Sequence, residues 1–345
     1  MIQKMALHLK LIPAVLFLVA SANASAVYSF QTLNNSGDSQ FNQLLGVSST
    51  SSPTIVGYFG DGTALPNKGY TLVQPYNSQG SYTNENFPGS AQTQVVGITP
   101  GGAGTTVGFY IDSNGNNIGF VDQGGTFTSV SDPSTPAAPG AMVNQLLGVS
   151  DNNIAAGFYI DAAGDMQGYT YNLTTATFTP ITLPMSFGAM DTTVTGINDA
   201  GVITGFYTDA AGNTHGFVDN AGTFTSFDDP NGADTMFLGI NASDMIAGSY
   251  LDGAGETEGL VFDYLTDSFQ TVDDPLASNM AAFGVDGTTI NGINNAGDLV
   301  GFYSDGTNVD GFLATPTPEP ATIGFMILCG ALIVGKHRRG QKAQA

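Results

Sequence analysis

Hydrophobic positions in this chain fall in short runs separated by clusters of Gly, Asn, Asp, Ser and Pro, and the central region lacks the ~3.6-residue spacing of an amphipathic helix. Residues 142–182 show the pattern. MVNQLLGVS, NIAAGFYI, MQGYTYN and TATFTPIT are rich in β-branched and aromatic residues, and Asp-Asn-Asn, Asp-Ala-Ala-Gly and Leu-Thr-Thr turns separate them. The pattern predicts four consecutive strands joined by hairpins.

This four-strand pattern recurs six times, and three glycines mark each copy. The first precedes Val or Ile, at Gly46, Gly97, Gly148, Gly196, Gly239 and Gly292, so that copies lie 43 to 53 residues apart. The second precedes a mostly aromatic pair, at Gly57, Gly108, Gly157, Gly205, Gly248 and Gly301; the third, at Gly69, Gly119, Gly168, Gly216, Gly259 and Gly311, precedes a single large apolar residue. A repeat of roughly 40–50 residues without helical periodicity is the size of one propeller blade. The expected fold is therefore all-β, a six-bladed β-propeller of four-stranded repeats spanning residues 27–314. Glycine weakens a strand, so its recurrence in three strands of every copy predicts places where neighbouring sheets approach too closely for a Cβ. Phe59, Tyr110, Tyr159, Tyr207, Tyr250 and Tyr303 share one register position and are expected to form a buried ring.

The first strand-like stretch, Tyr28 to Asn35, reads as the end of a repeat. It shares Ser-Phe-Gln-Thr with residues 267–274, the fourth strand of unit five, whereas the last unit contains only three strands. The N-terminal strand is thus expected to pair beside residues 310–313 and close the ring, leaving no free sheet edge. The Pro- and Ala-rich segment 134–140 reads as an inter-blade loop, since the repeat resumes in phase at Met142.

The two ends differ from this body. Lys4 and Lys10, the apolar run 11–20 and Ala24-Ser25-Ala26 follow the order of a secretory signal peptide over residues 1–26, with Ala24 and Ala26 at its cleavage site. Pro318-Glu319-Pro320 precedes an apolar run at about 321–335, then Lys336, His337, Arg338 and Arg339, which predicts a short membrane-crossing helix with a cytoplasmic basic end. This terminus, 315–345, resembles the sorting signal of PEP-CTERM proteins of Gram-negative bacteria. The resemblance implies processing at Pro318, Glu319 and Pro320 by a membrane-embedded exosortase. It also implies an inner-membrane intermediate and release to the cell surface or exterior, in bacteria that commonly make exopolysaccharide. A Thr-Pro linker is expected to hold the motif extended. A plain single-span anchor is the alternative.

Charge sharpens the contrast between ends and body. Lys68 is the one basic residue among 27–317 against 28 acids, about −27 in all. Such a surface repels nucleic acid and anionic lipid, whose recognition needs several Lys or Arg contacts, and it attracts divalent cations. The single cysteine, Cys329, excludes an intrachain disulfide.

Gly196-Ile197-Asn198, with Gly201, Gly205 and His215-Gly216-Phe217, resembles the extracellular HAF-repeat family; Gly-Ile-Asn recurs at Gly239 and Gly292. The resemblance implies a secreted, propeller-like protein and no known reaction. The family's His is retained at His215 alone. Lys68, Ile118, Gln167, Glu258 and Asp310 stand there in the other copies, so no ring of imidazoles exists. The body contains no Arg to clamp a carboxylate substrate and the chain no Trp; a zinc site or a Ser-His-Asp triad would depend on His215 as its one imidazole.

Carboxylates are the remaining chemistry. In a four-stranded blade the second-to-third turn and the connection to the next blade emerge on one face. Asp112, Asp161, Asp209, Asp252 and Asp305, with Asp61 shifted, mark the turns; Asp132, Asp228, Asp229, Asp273 and Asp274 mark the connections. One face should therefore carry an acidic rim, read either as turn-forming Asp or as a weak calcium site, although Asp-x-x-Gly lacks the alternating ligands of a calcium loop. No catalytic or cofactor-binding residue is assigned. The sequence is read as an exported, non-catalytic binding or structural propeller, with extracellular polysaccharide or another surface protein as partner; the alternative is a carbohydrate-acting enzyme with a carboxylate pair in the central channel.

Overall fold

The computed structural model describes residues 26–317, apart from 77, 137–139 and 141. The expected terminal helices, the signal residue Ala24 and the Pro318-Glu319-Pro320 motif lie outside the described residues. Within them the chain forms six four-stranded antiparallel sheets, the six blades of a β-propeller. Their inner strands are Asn42–Val47, Gln92–Ile98, Asn144–Val149, Ala189–Ile197, Gly232–Ile240 and Thr288–Ile293, belonging to blades one to six in turn. Among the described residues no helix is long and apolar enough to cross a membrane.

Each inner strand slips register by one residue just before its first glycine. The residue skipped is Leu45, Val96, Leu147, Thr195, Leu238 or Asn291, and the bulge turns it into the central channel. The first glycines then meet around the axis. A Cβ on Gly148 would lie 2.7 Å from the Thr195 carbonyl oxygen of the next blade, and one on Gly239 2.6 Å from that of Asn291. Gly292 closes the circle against Leu45 of blade one at 3.0 Å. The third glycines also serve blade-to-blade contact: a Cβ on Gly168 would meet Val194 at 2.7 Å, and one on Gly216 the Phe237 ring at 3.0 Å. The second glycines depart from the expected sheet-to-sheet role. Each faces the inner-strand carbonyl of its own blade, Gln43 for Gly57 and Gln145 for Gly157, because the bulge presses that carbonyl towards the second strand.

The large residue after each third glycine fills the blade core: Tyr70, Phe120, Tyr169, Phe217 and Phe312 are fully buried, with Leu260 and Phe262 in blade five. Each such burial stabilises by about 1.5–3 kcal/mol. The tyrosines expected as a ring lie instead in separate blade seams. Tyr110, Tyr207 and Tyr250 reach across the third strand to hydroxyls of the fourth, Ser129, Ser226 and Thr271, each at 2.9 Å. In blade six Thr32 of the N-terminal strand takes this role, 3.0 Å from the Tyr303 hydroxyl.

Gly-Ile-Asn is an inter-blade latch. Asn198 donates its amide to the Asn241 carbonyl at 3.1 Å, Asn241 to Asn294 at 2.9 Å, and Asn294 to Ser48 of blade one at 3.2 Å. Their Oδ1 atoms accept backbone N–H groups two and four residues on, so each Asn shapes its own turn while fastening the next blade.

The N-terminal strand, Val27–Thr32, closes the ring as expected, pairing antiparallel with Val309–Thr317. Thr315, Pro316 and Thr317, expected as a linker, belong to this strand: they pair with Ser29, Tyr28 and Val27. Pro316 is tolerated because the third-from-outside strand ends its pairing at Ala314, so no N–H is required on that side.

A chain beginning at Gln40 should expose the Val309–Thr317 edge and lose the Thr32–Tyr303 and Phe30–Phe312 contacts. We expect a melting temperature lower by several degrees, on the order of 2–4 °C per kcal/mol lost, with self-association seen by light scattering. A monomer of unchanged melting temperature would contradict ring closure.

Candidate functional site: the channel and its acidic face

Inner strands begin, and second strands end, on one face, called here the wide face; the six first glycines lie towards the opposite, narrow face. On the second strand the residue after the second glycine alternates with the seam tyrosine and so points the other way. It is Phe109, Phe158, Phe206 and Phe302 in blades two, three, four and six, and these line a cavity of about 390 Å³ at the wide end of the channel. Cross-strand partners stand beside them: Gln94 opposite Phe109, Gln145 opposite Phe158, Thr193 opposite Phe206. Gln43 completes the set in blade one, its Oε1 accepting the Tyr58 hydroxyl at 2.7 Å. The rest of the wall is aliphatic apart from Thr195 and Asn291, with Met166 at the rim, and no lining residue is ionisable.

The connection between blades five and six folds over this opening. Ala282 and Val285 exchange backbone hydrogen bonds of 2.8 and 2.9 Å around Phe283 and Gly284, whose φ values are 52° and 82°. A positive φ is costly for a bulky residue. It presents Phe283, half exposed, edge-on to Phe41 at 5.7 Å.

The sequence-predicted Asp residues lie on this wide face, and their oxygens are largely engaged. Asp112, Asp161, Asp209 and Asp252 each accept N–H groups two and four residues on, and Asp61 and Asp305 cap equivalent turns. Hydrogen bonds from the donors at the far side of each turn, Leu65 for Asp61 and Asn213 for Asp209, hold both carboxyls down at about 2. The same cause lowers Asp112, Asp161, Asp252 and Asp305. In the connections, Asp132 accepts from Ser134, and Asp229 and Asp274 are buried, receiving Asn231 and Leu276 N–H groups. Turn-building thus accounts for most of the acidic pattern.

Blades four and five differ. His215 lies 2.7 Å from Asp228 and 3.5 Å from Asp209. Burial opposes its charged form, but the bonds to Asp228 and Asp209 outweigh it and its pKa is raised. In blade five Glu258 occupies the same register, and Asp252, Glu256 and Glu258 place carboxylate oxygens within 4.8 Å of one another, the one group among the described residues arranged to hold a metal. Partial burial and a hydrogen bond shared with Asp273 push Glu258 up to about 8. The oxygens of Asp252, Glu256 and Glu258 lie closer together than the ~5–10 Å separation of a hydrolytic carboxylate pair. The alternative reading places a carboxylate pair in the central channel, and the residues lining the wide cavity include no Asp or Glu. Glu85, elsewhere in the seam of blades one and two, is pushed up to about 7 by burial while accepting the Thr106 hydroxyl.

Sequence reading located the acidic face but missed the aromatic cavity. Strand alternation was the available signal: a buried tyrosine at one position obliges the phenylalanine before it to face the other way.

No family model matches the sequence, and no curated protein matches it either. Among solved structures the fold is similar to a putative TolB from Agrobacterium tumefaciens, at 13% identity and TM-score 0.53, covering 86% of this chain and 100% of that one. A sialidase from Trypanosoma rangeli matches at 8% identity and TM-score 0.51, over 92% of this chain and 63% of its own. The SapL1 lectin in complex with α-methyl fucoside matches at 10% identity and TM-score 0.49, over 82% and 97%. Identities this low establish the propeller fold alone.

Glu258 gives a pH prediction. Its raised pKa means that its contribution to stability is full below the ordinary carboxyl range near ~4.3 and is lost as pH climbs through about 8. Glu258→Gln cannot ionise, so its melting temperature should gain on the native protein by roughly 2 °C or more between pH 5 and pH 9. An offset that is the same at both values, in a fluorimetric melting series, would contradict the assignment.

Proposed function

We propose that this protein is exported to the cell surface or extracellular matrix and acts there as a non-catalytic binding propeller, with the wide-face cavity as its ligand site. The cavity carries the reading: about 390 Å³ walled by aromatic rings, amides and aliphatic groups, the size and chemistry of a small-molecule site. Extracellular polysaccharide or another surface protein is the partner class. Export is supported by the charged, apolar and small-residue order of residues 1–26. The Pro318-Glu319-Pro320 end supports sorting by an exosortase-type protease through a transient inner-membrane intermediate. Because the last strand runs to Thr317, the motif follows the folded body without a spacer, and cleavage there would leave the propeller whole.

Two measurements test the two halves of this reading. Intact mass of the extracellular protein from the native host should show a species lacking the signal peptide, Cys329 and the Arg338-Arg339 end; a dominant species still carrying Ala345 would exclude the sorting route. Retention of the purified protein on the host's own extracellular polymer should fall about tenfold for a Phe109→Ala, Phe206→Ala double variant that melts as a monomer, on the order expected when stacking faces at a binding centre are removed. Undiminished retention would place the ligand site elsewhere.

A further inference from the structure

We infer that the channel takes one terminal, uncharged sugar unit, and that glutamines of the first three blades read its hydroxyls. This rests on the reading of the wide-face cavity as the ligand site, and three features of that cavity carry it.

The cavity narrows towards the opposite face. Leu45, Val96, Leu147, Thr195, Leu238 and Asn291 wall both the wide cavity and a second space of only about 70 Å³ at the narrow face, so this ring is a waist between them. The bulges turn these six side chains inward at the level where the first glycines bring the blades into contact. A ligand entering from the wide face meets the waist, and the space beyond it, about 70 Å³, is too small for a sugar ring. Only the end of a chain, or a short branch, fits such a site; the middle of a polymer does not.

The glutamines are one-sided, with Thr193, Thr195 and the unpartnered Oδ1 of Asn291 on the other arc. Gln43, Gln94 and Gln145 occupy the same register in blades one, two and three, whereas Thr193, Met236 and Thr289 stand there in blades four to six. A primary amide offers both N–H donors and a carbonyl acceptor, the complement of a hydroxyl that does both. Gln43 is fixed by Tyr58, and Gln94 and Gln145 follow it round the wall. Phe206 and Phe302, on the other arc, offer aromatic faces for the C–H side of a pyranose ring.

Charge selects against acidic and basic sugars for different reasons. A uronate would enter a body carrying about −27 with no cationic group in the lining. An ammonium would lose its water without a carboxylate among the lining residues to replace it, which is costly. A neutral hexose meets neither barrier.

The test titrates the full mature protein with methyl glucoside, methyl galactoside and methyl mannoside, and in parallel with glucuronic acid and glucosamine, reading ligand saturation-transfer spectra and calorimetry. At least one neutral glycoside should bind, and the two charged sugars should bind at least about tenfold more weakly. Gln94→Leu and Gln145→Leu should each weaken it roughly fivefold, as loss of one or two hydrogen bonds does, and Gln94→Glu, which keeps the side-chain size, should do so as well. Chain ends should compete: shortening a neutral glucan at constant mass should raise its apparent affinity in proportion to the number of ends. If glucuronic acid binds as well as the neutral sugars, or affinity follows mass and ignores the number of ends, the inference fails while the binding role of the cavity stands. If no sugar binds and the Phe109→Ala, Phe206→Ala variant also leaves polymer retention unchanged, the cavity reading itself fails.

Discussion

The structure depends on how closely six inner strands approach one axis. At the first glycine of five of the six blades a carbonyl oxygen of the next blade stands where a Cβ would be, 2.6 Å away at Gly239 and 3.0 Å at Gly292, while Gly196 meets the Ile240 side chain at 3.2 Å. A single methyl group there would push two blades apart, and because the ring is closed the strain would have to be shared by all six seams. The bulge preceding each glycine belongs to the same constraint. It shortens the ladder by one residue, aims a side chain into the channel and forces a second glycine on the adjacent strand. Packing at the axis therefore dictates two of the three glycines per repeat, and packing of the blade faces dictates the third.

Closure converts these local contacts into a stable body without disulfides. The hydroxyl bridge from second to fourth strand and the asparagine latch are each worth about 1 kcal/mol, but they recur from blade to blade. The N-terminal strand supplies the Thr32 end of the bridge in blade six. Ala26 is also held, exchanging hydrogen bonds with the Gln270 side chain at 3.1 and 2.6 Å. The beginning and end of the described chain thus meet in one sheet, which explains why a three-strand last unit is no defect.

The same geometry separates two kinds of polar chemistry. Turn aspartates on the wide face spend their oxygens on their own backbone, which lowers their pKa values and leaves little for a metal. The channel behind them is lined by rings, amides, hydroxyls and aliphatic groups, none of them ionisable. The turn carboxylates and the uncharged channel lining are thus two separate polar environments on the same face.

Much of the architecture was legible in the spacing of residues. Six copies, four strands each, the turn positions of Asp112 to Asp305, and closure by Tyr28 to Leu33 all follow from local pattern, because strand alternation and turn chemistry are properties of neighbours in sequence. The role of Thr315-Pro316-Thr317 was not legible, since a Pro flanked by Thr reads as a linker until a partner strand from the other end of the chain is placed beside it. Nor was the division of the Gly-Phe-Tyr triplet, in which the tyrosine fills a seam while the phenylalanine lines the channel. Which face of a strand looks onto the axis depends on the twist of the blade and on a one-residue bulge, and both are set only when six blades pack together. Sequence by itself determined the repeat, its strands and its charge; the closed ring decided which side chains share a cavity, because that proximity brings together residues from all six blades, as far apart in sequence as Gln43 and Phe302.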